Sequence, residues 1–152
     1  MPLELEVNGD RHVVESPSET PLLFVLRNEL GLTAAKLGCS KEQCGACVVL
    51  VDGDAKYSCV DPVGAFAGKS IRTSEGLQSG TTGQQLREAF IRHSAAQCGY
   101  CTPGIFVALN ALFRADQKPA EADIRAALQP HLCRCGSQAR VLRAAREVAG
   151  LS

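Results

Sequence analysis

Three thiols stand in one short glycine-flanked loop, Gly38-Cys39-Ser40-Lys41-Glu42-Gln43-Cys44-Gly45-Ala46-Cys47, and a fourth, Cys59, follows after eleven residues. The spacing C-x4-C-x2-C with one distant cysteine is a ligand pattern for a [2Fe-2S] cluster. Structural zinc sites usually bring their ligands as two separated pairs, whereas here three ligands wrap one small object from a single loop. Zinc, or thiols left free or joined as disulfides, are the alternatives that this spacing leaves standing. Gly38 and Gly45 let the backbone approach closely, so that amide N–H groups can point at sulfur and tune a bound cluster.

The remaining cysteines form Cys98-Gly99-Tyr100-Cys101 and Cys133-Arg134-Cys135, which brings the total to 8 and gives two four-thiolate sets with none left over. Two alternate residues on an extended segment can serve one iron while the C-x2-C pair serves the other, so a second [2Fe-2S] cluster is expected, with structural zinc as the alternative. A Rieske centre needs two histidines among its ligands, and His12, His93 and His131 show no C-x-H spacing.

Regular elements must position these thiols. Leu3, Leu5 and Val7 alternate with Glu4 and Glu6, and Asn8-Gly9-Asp10 reads as a hairpin turn leading to Val13 and Val14. Thr20 is placed to cap a helix with Pro21 at its first position, Leu22, Leu23, Leu26 and Leu30 on one face, and Gly31 as its stop. After the cysteine loop come a strand over 48–51, an Asp52-Gly53 turn, a return strand through Tyr57 to Cys59 and a short strand over 70–73. That order is a small β-grasp sheet with its helix across one face and the cysteine loop hung from its edge. Residues 78–83 carry no apolar side chain, and a domain boundary is expected there, dividing the chain into 1–77 and 78–152.

The second half reads as four short amphipathic helices. Leu86, Ala89, Phe90 and His93 mark the first, and Thr102 and Pro103 start a second that carries Phe106, Leu109, Leu112 and Phe113. Ile124 and Leu128 mark a third after Pro119, and Ser137 is placed to cap a fourth with Val141, Leu142, Ala145 and Val148. The fold class is therefore α+β, a β-grasp domain followed by a four-helix bundle. Both late cysteine pairs sit at helix junctions, which a bundle can gather at one end. His93 reads as a surface histidine, Asp52-Gly53 as a turn only, and the three phenylalanines Phe90, Phe106 and Phe113 as bundle core.

The formal net charge is zero and there is no Lys/Arg run, so neither nucleic acid nor an anionic membrane is an expected partner. The opening residues from Met1 alternate like a strand rather than forming a basic region and an apolar run, so no signal peptide is read and a cytoplasmic location is expected, with export inside a folded complex left open. No catalytic nucleophile and base stand out, and no phosphate-cradling glycine loop is present, so the chain is not expected to turn over substrate alone. Two thin cores joined by a polar linker would depend on metal for stability, and iron removal is expected to unfold them.

Taken together, Gly38-Cys39…Gln43-Cys44-Gly45-Ala46-Cys47, Gln97-Cys98-Gly99-Tyr100-Cys101-Thr102-Pro103-Gly104 and Leu132-Cys133-Arg134-Cys135-Gly136 resemble the small iron-sulfur subunit of the molybdenum hydroxylases, the xanthine dehydrogenase and aldehyde oxidase family. The resemblance spans essentially the whole chain. It implies a plant-type ferredoxin-like domain holding one [2Fe-2S] cluster on Cys39, Cys44, Cys47 and Cys59, and a helical domain holding another on Cys98, Cys101, Cys133 and Cys135. It also implies a molybdopterin cofactor on a separate large subunit, close to the helical-domain cluster, with Gln97 and Cys135 approaching the pterin edge. The bland readings are that Gln97 caps a helix end and that Arg134 is a solvated surface charge.

Cys133-Arg134-Cys135-Gly136-Ser137 departs from the commoner C-R-C-T-G-Y ending and resembles the isoquinoline and nicotinate dehydrogenase group, some members of which pass electrons to a haem protein instead of a flavin. Glu42 stands where many relatives carry glycine. The expected role is electron transfer away from a molybdopterin site that oxidises an N-heteroaromatic or aldehyde substrate, toward an FAD or haem acceptor. A free-standing two-cluster carrier is the alternative. The expected order runs from molybdenum to the helical-domain cluster, then to the loop cluster, whose small residues Gly38, Ser40, Gly45 and Ala46 offer close approach.

Overall fold

A computed structural model describes residues 2–151; Met1, the first residue of the expected opening strand, and Ser152 lie outside the described residues. Strands β1 (Leu3–Val7) and β2 (Asp10–Val14) form the expected hairpin, with Val7 opposite Asp10 and Leu3 opposite Val14. Asn8 and Gly9 both have positive φ, 56° and 92°, as a two-residue hairpin turn of the primed type requires. Three short strands complete the sheet: β3 (Val49–Val51), β4 (Asp54–Lys56) and β5 (Ser70–Arg72), in the order β2-β1-β5-β3-β4 with β1 and β5 parallel. That parallel pairing between the first and last strands makes the sheet a β-grasp. The return strand β4 is shorter than expected: it ends at Lys56, and Tyr57 to Cys59 leave the ladder to turn back toward the cysteine loop.

The crossing helix differs from its expected form. An α-helical turn, α1 (Leu22–Phe24), runs directly into a π-helical stretch over Val25–Glu29, and Pro21 rather than Thr20 occupies the capping position, with no side-chain cap. Thr20 instead gives its carbonyl to the Val63 N–H, and Pro21 bridges Pro62. The wider turn still puts Leu22, Leu23, Val25 and Leu26 fully inside. Each such side chain contributes roughly 1.5–3 kcal/mol of apolar burial.

A short helix α2 (Ser74–Leu77) leads from the sheet into the helical half, which comprises α3 (Thr81–Arg92), α4 (Thr102–Ala115), α5 (Glu121–Leu128) and α6 (Gln138–Val148). Helix α3 begins inside the stretch read as linker, and Gly83 lies so close to Leu77 that an added Cβ would fall 1.8 Å from its carbonyl oxygen. Phe90 and Phe106 meet edge to face at 6.2 Å inside the bundle, with Phe113 buried nearby.

Two apolar cores form, and the sheet stands between them. Val49 and Val51 point into the core with α1, whereas Val48 and Leu50 point into the helical core with Leu77, Leu86 and Leu109. The cores are thus two sides of one wall, and half-buried Tyr57 packs against both. No helix among the described residues is long and apolar enough to cross a membrane.

Candidate metal centres

In the first set, backbone N–H groups converge on sulfur. Cys39 Sγ accepts from the N–H groups of Lys41, Gln43 and Cys44 at 3.3, 3.2 and 3.3 Å, Cys44 Sγ from Cys39 N–H at 3.4 Å, and Cys47 Sγ from Ser58 N–H at 3.4 Å. Left-handed backbone at Ser40, Glu42 and Gly45 curls the loop so that its N–H groups face inward. Gly38 is required by a close approach, since a Cβ there would lie 2.5 Å from Cys44 Sγ. Ser58, fully buried, donates its hydroxyl to the Cys47 carbonyl at 2.6 Å and holds the segment bearing Cys59 against the loop.

The second set forms where the start of α4 meets the approach to α6, as the junction positions require. The Cys98 thiol lies beside that of Cys135 and the Cys101 thiol beside that of Cys133, so the contacts run across the two segments. Ser137 occupies the capping position of α6, but its side chain makes no cap bond. Its hydroxyl lies 3.0 Å from Cys133 Sγ and its N–H donates to the same sulfur at 3.5 Å. Gln97 Nε2 donates to the Cys135 carbonyl at 3.2 Å, which brings together the two residues that the resemblance places near a pterin. His93 is engaged elsewhere, with Nε2 2.5 Å from the Glu147 carboxylate.

The donor set fits iron-sulfur chemistry. The sulfurs meet in twos, Cys39 with Cys44 and Cys47 with Cys59 in the first set. A two-iron cluster takes four cysteine ligands, two for each iron. Burial would raise the Cys39 thiol, but N–H donation from Gln43, Lys41 and Cys44 outweighs it and brings the group down to about 7. At Cys133 burial also works upward, and the Ser137 hydroxyl and N–H bring it down to about 7. Burial pushes Cys47 and Cys101 up to about 11. Metal loading must therefore displace protons from Cys47 and Cys101.

Exposure of the two sets corrects the expectation for the loop. Cys47 and Cys59 are buried while Cys98 is exposed, so in this chain alone the more open set is the second. The tip of the first loop, residues 40–43, does face solvent, and Gly38 with it. Gly45 and Ala46, however, are buried, because the loop does not hang free at the sheet edge but lies against the helical half. Leu132 N–H donates to the Cys44 carbonyl at 3.0 Å, and the Tyr100 hydroxyl donates to the Leu37 carbonyl.

Two family models match this chain: a 2Fe-2S iron-sulfur cluster binding domain over residues 5–89 and a [2Fe-2S] binding domain over residues 73–146. A nicotinate dehydrogenase subunit from Pseudomonas putida is 44% identical over 147 residues, covering 97% of this chain and 94% of the relative. The chain belongs to the small [2Fe-2S] subunits of the molybdenum hydroxylases. The alpha subunit of isoquinoline 1-oxidoreductase from Brevundimonas diminuta is 39% identical, with 97% and 99% of the two chains covered. The structure of quinoline 2-oxidoreductase from Pseudomonas putida 86 contains a chain that superposes with TM-score 0.91 at 32% identity, over 99% of the present chain and 94% of that one. The aldehyde oxidoreductase of Desulfovibrio desulfuricans matches with TM-score 0.89 and 36% identity, over 98% of the small subunit but 17% of its own much longer chain. The small subunit is thus an electron-transfer component of an oxidoreductase that carries two [2Fe-2S] clusters.

Sequence reasoning missed three supporting residues. Ser58 reads as an ordinary strand serine, Ser137 carries the stronger signal of a helix cap, and His131 contacts a glycine far away in the chain. All three stand near a cysteine, Ser58 beside Cys59, His131 two residues before Cys133 and Ser137 four after it, but nearness alone does not show which of them touches sulfur or the first loop.

Proposed function

We propose that this small subunit takes electrons from a molybdopterin site on a large partner protein and delivers them to an outside acceptor, during oxidation of an N-heteroaromatic or aldehyde substrate. The observation that carries the reading is identity with the nicotinate dehydrogenase relative, 44% over 97% of this chain and 94% of that one, together with two complete cysteine sets. Cys39, Cys44, Cys47 and Cys59 are assigned to one cluster, and Cys98, Cys101, Cys133 and Cys135 to the other. Domains of 1–77 and 78–152 each hold one set. Each cluster, when bound, stores and releases a single electron, which suits a relay between a two-electron oxidation and a carrier.

The chain's own groups arrange that relay. Loop amides and the Ser137 hydroxyl hold the sulfurs, and Gln97 fixes the Cys135 backbone at the open end, where both residues can meet a pterin edge. The open second set, with exposed Tyr100 and Leu132 beside it, supports a large subunit covering that end. The solvent-facing tip of the first loop supports delivery of electrons from there to FAD or haem on a further protein. Cytoplasmic assembly suits eight reduced thiols.

Native isolation of the assembly through an affinity handle on this chain tests the reading. Molybdenum, pterin and iron should travel together, with FAD or haem identifying the acceptor. A monomer holding iron without molybdenum would instead make the chain a free-standing carrier.

A further inference from the structure

The first cysteine loop meets the segment leading to Cys133, and the contact is unusually close. Gly45, one residue past Cys44, has φ +78°, and a Cβ added to it would lie 2.3 Å from Nδ1 of His131 and 2.8 Å from two of its ring carbons. The Gly45 carbonyl in turn lies against the start of α4, where a Cβ on Gly104 would fall 2.1 Å from it. Between His131 and Cys133 sits Leu132, whose N–H donates to the Cys44 carbonyl at 3.0 Å. The His131 ring is 8% exposed, and Nδ1 is buried with no hydrogen-bond partner. It contributes to the contact through its shape, since no polar bond at that nitrogen holds it.

We propose that His131 is a positioning residue, a wedge against Gly45 that fixes the separation of the two ligand sets and keeps the Cys44 carbonyl on the Leu132 N–H as their direct connection. From Cys44 Sγ the route runs through its own backbone carbonyl, across one hydrogen bond, and through the Leu132 backbone to Cys133 Sγ. The transfer it serves is one electron lost on one side and gained on the other, with no bond made or broken and no proton moved. A covalent path interrupted by one hydrogen bond keeps the sets in electronic contact only while the loops hold this spacing. Three features thereby acquire one reason: glycine at 45, glycine at 104, and a ring at 131. The proposal rests on the ligand sets assigned above.

The test uses the assembled holo complex with His131→Ala and His131→Phe. Iron content and the separate EPR signal of each reduced cluster check the ligand assignment. The readouts for the wedge are the magnetic splitting between the two reduced clusters and hydrogen exchange at the Leu132 amide. His131→Ala is expected to keep both signals, weaken or broaden the splitting, and speed exchange by roughly tenfold or more. His131→Phe restores a ring of similar shape without the orphan nitrogen, and is expected to keep both readouts at their wild-type values. Unchanged splitting and exchange in the Ala variant would overturn the proposal. So would a Phe variant that fails as the Ala variant does. Should Ala prevent iron loading, the Phe variant alone decides. Loss of one cluster's signal in the Phe variant would contradict the ligand assignment instead.

Discussion

Glu42 holds a left-handed backbone, φ 55°, within the first cysteine loop. A side chain in that conformation costs on the order of 1 kcal/mol, which glycine would avoid. Glu42→Gly is therefore expected to slow cluster loss from the first set under chelation, with the second set unaffected, as measured by bleaching rates. Ser137 invites the opposite change. Its hydroxyl and N–H both reach Cys133 Sγ, and hydrogen bonds to sulfur raise a cluster's reduction potential by easing the added negative charge. Ser137→Ala should lower the potential of the second cluster and leave the first in place, as read by EPR-monitored redox titration. The cysteine spacing was legible in the sequence, and the fold brings the thiols together in twos, Cys39 with Cys44, Cys47 with Cys59, Cys98 with Cys135 and Cys101 with Cys133. Ser137 and His131 were not, because a serine before a helix has a stronger local explanation and a ring's contact with a glycine 86 residues away leaves no local pattern.

At the scale of elements, periodicity revealed the hairpin and the four main helices, because alternation and helical spacing are written in the order of apolar residues. It did not reveal how β3 is used. A run of consecutive valines and leucines reads as a strand, yet only the folded chain shows Val48 and Leu50 walling the helical core while Val49 and Val51 wall the other. The π-helical turn after α1 was also hidden, because Leu22, Leu23 and Leu26 fit an ordinary helix equally well. This shared wall changes the expectation for metal loss. Two separate thin cores would collapse without iron, whereas cores that brace each other through β3 leave the cysteine loops as the dependent parts. Iron removal is expected to lower the melting temperature and free residues 38–47 and 132–136, while far-UV circular dichroism keeps most of its helix signal. Complete loss of that signal would show that the wall does not suffice.

At the scale of the molecule, the two sets face different neighbours. The second, with Cys98 exposed, stands at an open end, while the first has Cys47 and Cys59 packed in the core beside α1 and meets solvent at its tip. An open end suits burial by a large subunit, and an exposed tip suits a passing acceptor, so the proposed order runs from molybdenum to the second set and then to the first. Rapid-freeze EPR on the assembled complex carrying Cys59→Ser tests this most directly, once circular dichroism shows the chain still folded. Substrate should reduce the cluster of Cys98, Cys101, Cys133 and Cys135 as in the wild type, while transfer to the physiological acceptor fails. A second cluster that stays oxidised after substrate is added, or acceptor reduction continuing at the wild-type rate, would contradict the account.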